Sequence, residues 1–349
     1  MFEESEINDI RTIKQFKGCT FSNFKKNDVK KQCINSIYNN KIEESCYWIG
    51  ELICSGQFID IWEIILLIMS KYIYLANPKL PIYINLRYND FKNIISNGYV
   101  DNEIRLRNNI DIRKMFCEII CTLCMSNKKP LMQYMKHKNG FDLNNLTDYL
   151  LAPNIDYIKP YYLKNDPKEL FIALNEFCYQ LIEKKDIIYI IFWIDWIIDY
   201  QSLCKKKKHA LLCERRTFIP VQEKMQMDPI WIVWDILLDS ANKNKILYKI
   251  VHNILELFCI CYNDSTKKKR KNMIYHAVYL LIEPVNYNID IFKNKVLIEK
   301  IKEKSHHIYL QIKKNEVAPN TDYLFMNQNA KSNIEKSVEK IKKMNEILG

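Results

Sequence analysis

Apolar residues recur at helical spacing along most of the chain, broken at short intervals by polar stretches. Within 28–75, Ile34, Ile37 and Tyr38 mark one helix face and Ile42, Cys46, Ile49, Leu52 and Ile53 mark another, which predicts a pair of helices. Ser55-Gly56 closes the second of them, because glycine takes the left-handed conformation that ends a helix. A third helix over 58–74 is apolar nearly all round and is expected at the centre. Asn77-Pro78 stops it, and Pro81 predicts an extended exit. After a polar loop near 96–102, Ile112, Met115, Phe116, Ile119, Ile120 and Leu123 predict a strong helix over 111–125, ended by Lys128-Lys129-Pro130.

The same periodicity predicts helices over 168–184, 186–204, 229–240, 245–262 and 269–282. Asp228-Pro229 reads as an N-cap followed by proline at the first helical position. Trp193, Trp196, Trp231 and Trp234, spaced i, i+3 on two helices, predict an aromatic seam between them. Beyond a polar linker at 316–331, Ile334, Val338, Ile341, Met344 and Leu348 mark one face of a terminal helix that docks back or meets a partner. The stretch 153–167 carries three prolines among Asn, Asp and Tyr, so the domain boundary is placed there. The expectation is an all-α chain: an N-terminal basic and aromatic segment (1–27), a helical domain (28–152), a linker (153–167), a second helical domain (168–285) and an extension ending in an amphipathic helix (286–349).

Composition supports this class. Only 6 Gly and 10 Pro in 349 residues starve the chain of the turns that a many-stranded sandwich requires, while 48% hydrophobic residues can fill a sizeable core. The 12 cysteines are spread through a long chain that opens MFEESEIND, without a basic stretch and apolar signal core, so free thiols in a reducing compartment are expected. The apolar stretches 60–76 and 186–200 are interrupted by Glu63, Lys71 and Asp195, and no membrane insertion is expected. A net charge of +11 favours phosphate-rich or acidic partners. The Ile, Lys, Asn and Tyr bias resembles what an AT-rich genome imposes, so named clusters carry more weight than the lysine total.

Cys117, Cys121 and Cys124 have the C-x3-C-x2-C spacing of radical-SAM cluster ligands, but they fall inside an apolar helix, where i, i+4 and i+7 share one packed face. Cys259 and Cys261 lack a second pair and read as core. None of the six histidines lies in a zinc-binding arrangement, and His252 and His276 read as satisfied structural histidines. No P-loop or G-x-S-x-G occurs. No enzyme activity, metal or cofactor is expected.

Basic clusters remain. Phe16-Lys17, Phe24-Lys25-Lys26 and Lys30-Lys31 interleave rings with lysines, a pattern that can contact phosphates while rings stack on bases, and that equally fits a solvated helix face with Phe16 and Phe24 anchored in the core. Lys205, Lys206, Lys207 and Lys208, and then Lys267, Lys268, Lys269, Arg270 and Lys271, fall between helices or at helix starts, and the second run resembles a nuclear-import signal. Candidate nucleic-acid contacts are therefore Lys25, Lys26, Lys30, Lys31, Lys205 to Lys208 and Lys267 to Lys271.

Two resemblances add context. The runs FKGCTFSNFKK, ESCYWIGELICSGQFIDIWEIIL, NPKLPIY, NEIRLRNNIDIRKMFCEIICTLC and RKNMIYHAVYLLIEP resemble an uncharacterised protein family of giant nucleocytoplasmic large DNA viruses. This implies a viral origin, with a place in the host cytoplasmic factory or the virion, and brings no site residues. Residues 34–130 also resemble the helical collar of clamp-loader-type AAA+ proteins, especially the replication-associated recombination protein A group. Tyr47-Trp48, Gly56, the apolar helix that follows and Leu75-Ala76-Asn77-Pro78 occur in the collar's order. The collar likeness implies self-association without an ATPase module. The resulting expectation is a non-enzymatic factor that binds nucleic acid or a nucleoprotein assembly in viral DNA replication, transcription or packaging, with a structural scaffold of the virion as the alternative.

Overall fold

The first two helices form where the periodicity places them. α1 (Lys26–Tyr38) and α2 (Ile42–Cys54) pack against each other, and Gly56, at φ +69°, lies just beyond the Ser55 cap of α2. The computed structural model describes residues 3–100, 102–130, 141 and 143–317, and the helix predicted at the far C-terminus lies outside them. Every regular element among the described residues is helical, and a single bridge between Cys19 and Lys25 is the only strand-like pairing. The protein is all-α, with its helices packed in pairs.

α3 (Phe58–Leu67) runs on through a π-helical turn, Ile68–Ile73, and a 3-10 turn, Tyr74–Ala76. The apolar surround that predicts a central helix is matched by burial of Ile61, Trp62, Ile64, Ile65, Ile68 and Met69. The exit differs from expectation. Pro81 does not impose an extended strand, but sits in the first turn of α4 (Leu80–Ser96), where a missing N–H is tolerated because that position has no intrahelical acceptor. α5 (Ile110–Met125) begins at Asn109, whose side chain accepts from the Ile112 N–H. It ends where Lys128 turns back to bond the Leu123 and Cys124 carbonyls at 2.8 and 2.9 Å.

In the second half α6 (Phe171–Tyr179) ends in a π-helical turn, and α7 (Ile187–Lys206) is capped by Asp186. α8 (Ile230–Ala241), α9 (Lys245–Phe258) and α10 (Thr266–Ile282) follow close to the predicted positions. α7 is also, among the described residues, the one helix long and apolar enough to cross a membrane. Half of its most apolar stretch is packed inside the protein, and its Asp195 and Asp199 are bridged to Lys271 and Lys268. The four tryptophans are all buried, but not as one seam. Trp193 and Trp196 group with Phe192 and Tyr200, whereas Trp231 and Trp234 pack on Phe258 of α9.

Two helices that the sequence pattern does not reveal, α11 (Lys295–Lys304) and α12 (His306–Lys313), fold back onto α5 and α2. Gly50 of α2 makes room for α12, since a Cβ there would lie 2.8 Å from Ile312 Cδ1. The halves flanking 153–167 share one apolar core. α4 lies along α9, and α10 packs on α3 and its π-helical turn. The stretch that reads as a linker is itself anchored, for Arg216 bridges Asp166 at 2.6 Å and donates to the Tyr161 carbonyl at 3.0 Å.

Candidate functional site

The basic residues singled out in the sequence occupy neighbouring helices. The second lysine-rich run is a helix start and not a loop: Lys267 to Lys271 form the first turns of α10, and α10 lies against α7. Helical geometry then divides the run. Lys267 and Arg270, three residues apart, face inward, and Lys268 and Lys269 face out. Lys267 bridges buried Asp228 at 2.5 Å and donates to Gln201. Burial alone would raise the Asp228 carboxyl, but Lys267, together with the Ile230 N–H and Gln201, holds the pKa below the usual carboxylate value. Arg270 bridges Glu63 of α3 at 2.6 Å and donates to the Phe258 and Ile260 carbonyls. Both are structural cations, which removes them from the set of surface phosphate contacts and removes the import-signal reading of an exposed run.

Other members of the set are also paired. Lys271 meets Asp195 at 3.0 Å, Lys268 meets Asp199 at 3.3 Å, and Lys205 meets Asp264. In the N-terminal cluster Lys26 and Lys30 both reach Asp60 of α3, at 2.9 and 2.5 Å. Burial opposes ionisation of Asp60, and the two lysines overcome it and lower its pKa. Asp60 stands one turn before Glu63, the partner of Arg270. Carboxylates of α3 thus pair with cations of α1 and α10, and carboxylates of α7 pair with further cations of α10. Lys25, Lys31, Lys206, Lys207, Lys208 and Lys269 are exposed, with no ion pair among the described residues.

No family model, curated protein or solved structure matches the chain.

The rings expected between the N-terminal lysines divide as well. Phe16 is core, stacked near Phe21, and Phe24 remains 43% exposed in a T-shaped contact with Trp48. The aromatic surface beside a lysine lies elsewhere. Tyr38 and Tyr72 meet edge to face at 5.3 Å in a depression of about 300 Å3 that Lys31 also lines, and Lys71 lies over the Tyr72 ring. The spacing from Lys31 to Tyr38, seven residues on one helix, is the signal that would have revealed this face.

The cysteines bring a second arrangement. All 12 are unbridged. Cys117 and Cys121 share a face of α5, but Cys124 turns to Ser45 Oγ, 3.4 Å away. The third sulfur beside Cys117 and Cys121 is that of Cys46 on α2, and the three Sγ atoms lie within 4.8 Å of one another. Spacing along one helix cannot show a ligand that arrives from another. Cys259 is buried, whereas Cys261 is exposed at φ +45°, which corrects its reading as core.

Proposed function

We propose that this protein is a non-enzymatic helical factor that binds nucleic acid without sequence preference, within the viral DNA replication, transcription or packaging setting that the giant-virus resemblance implies. The observation that carries this reading is the set of six exposed lysines, on or beside α1, α7 and α10, that are left free of carboxylate partners among the described residues. Cations of this kind gain energy by releasing counterions from a phosphate backbone and need no base-reading module. The Lys31, Tyr38 and Tyr72 depression adds a stacking surface suited to unpaired bases.

The test is a salt titration of binding to duplex and single-stranded DNA by fluorescence anisotropy. Binding is expected at low salt and should weaken steeply as salt rises. Replacing Lys206, Lys207 and Lys208 together by Glu should lower the slope of log K against log salt by up to about 3, at about 0.9 per lost phosphate contact. Tyr38→Ala should weaken the single-stranded complex more than the duplex one. Absence of binding to either DNA at low salt refutes the proposal.

A further inference from the structure

We propose that Cys46, Cys117 and Cys121 form a site for one thiophilic metal ion, Cu(I) in three-coordinate thiolate geometry, which ties α2 to α5. Among the described residues these three make the one convergent group of metal-ligating side chains, and all are buried. A metal–sulfur bond of about 2.3 Å places three ligating sulfurs about 4 Å apart. The observed spacing, within 4.8 Å, therefore needs only a contraction of less than about 1 Å at its widest. The ligand set is all sulfur. Glu118, next to Cys117 in sequence, has its carboxylate engaged by Tyr83, Arg87 and Lys302. Soft thiolates without nitrogen or oxygen donors select Cu(I), and structural zinc prefers a fourth ligand. The adjoining cavity, of about 10 Å3, has room for one water at most.

A second observation points to negative charge at this place. Arg113 lines the same cavity and is only 2% exposed. Its guanidinium bonds to neutral groups alone among the described residues: the Arg107 carbonyl, the hydroxyl and carbonyl of Ser5, and Asn108 Oδ1. The Tyr309 ring covers it at 3.9 Å. A buried cation without a counter-ion is costly. A Cu(I) ion with three thiolates carries a net charge of −2 and supplies that counter-ion. On binding, three S–H bonds are replaced by three S–Cu bonds and the protons leave to solvent.

The experiment uses the full-length protein, reduced and free of metal, titrated anaerobically with Cu(I) held by a competing chromophoric chelator. One tight equivalent is expected, with X-ray absorption reporting three sulfur neighbours and with a raised melting temperature. Cys46→Ser, Cys117→Ser and Cys121→Ser should each abolish the tight equivalent, whereas Cys124→Ser and the exposed-site control Cys261→Ser should retain it. Arg113→Leu should weaken it by about 10–100-fold, as loss of a supporting group does. The sulfur count on the unaltered protein stands whether or not the variants fold. Uptake that is unaffected by the three substitutions, a sulfur count other than three, or formation of a disulfide within the trio in place of Cu(I) binding overturns the proposal.

Discussion

His276 shows how a single residue can be legible in type and not in circumstance. Its place in an apolar-patterned helix predicts a structural histidine, and it is indeed wholly buried in α10. It is not satisfied, however, because neither ring nitrogen has a hydrogen-bond partner among the described residues, and the Tyr74 ring stands nearly perpendicular to it at 6.2 Å. Burial pushes its pKa down to about 3. The unfolded chain, with a histidine pKa of about 6.5, takes up the proton first as pH falls. The stability that the neutral ring contributes is therefore complete above pH ~6.5 and is lost progressively toward pH ~3, at no more than about 1.4 kcal/mol per pH unit. His276→Leu should unfold at higher urea than the parent protein at pH 5, with a smaller gain at pH 7. An equal shift at both pH values would mean that the ring's ionisation is not linked to folding.

The start of α10 makes the corresponding point for an element. A run of five basic residues reads as uniform, but a helix sorts it by angle, so that Lys267 and Arg270 become interior while Lys269 stays in water. Removing one partner from a buried ion pair leaves the other charge uncompensated, at about 3–5 kcal/mol. Lys267→Met should destabilise the protein by about that amount, since Asp228 would keep only its bonds from Gln201, Tyr262 and the Ile230 N–H. Lys269→Ala should change stability by less than about 0.5 kcal/mol. Guanidinium unfolding of the two variants separates them, and equal effects would show that the helix does not sort the run as described. Conversely, Lys269→Glu should weaken DNA binding while leaving the melting temperature nearly unchanged.

At the scale of the whole molecule, one core spans the segments before and after the proline-rich stretch. Asn85 on α4 donates to Asn253 on α9, Arg270 reaches across to Glu63, and Lys302 of α11 returns to Glu118 of α5. The ends of the described chain also meet, with the Val317 N–H donating to Asp9 at 2.8 Å and Arg11 donating to the Asn315 carbonyl. Residues 1–152 and 168–349, produced separately, should each lack a cooperative melting transition, because each would expose the faces of α3, α4, α9 and α10 that now cover one another. A sharp transition in either fragment alone would establish an independent core. The proline-rich stretch is itself packed against the segment that follows it, since Asp166 and Arg216 are both nearly inaccessible to solvent.

The sequence by itself determined the helical class, most helix positions and the Gly56 terminus, because periodicity, capping and glycine conformation act within a few residues. α4 escaped it because Pro81 permits a helix start as readily as an extended exit, and α11 and α12 escaped it because they are short and lysine-rich, and their few apolar positions, such as Ile298, Tyr309 and Ile312, are covered only by packing on distant helices. The candidate site was legible as named lysines. Which of them are spent on Asp60, Asp228, Glu63 or Asp195 depends on carboxylates that are distant in sequence. The sulfur trio depends likewise on Cys46, 71 residues from Cys117. Only tertiary structure decides such pairings, because a charge or a thiol acts through distance in space, which the order of residues along the chain does not specify.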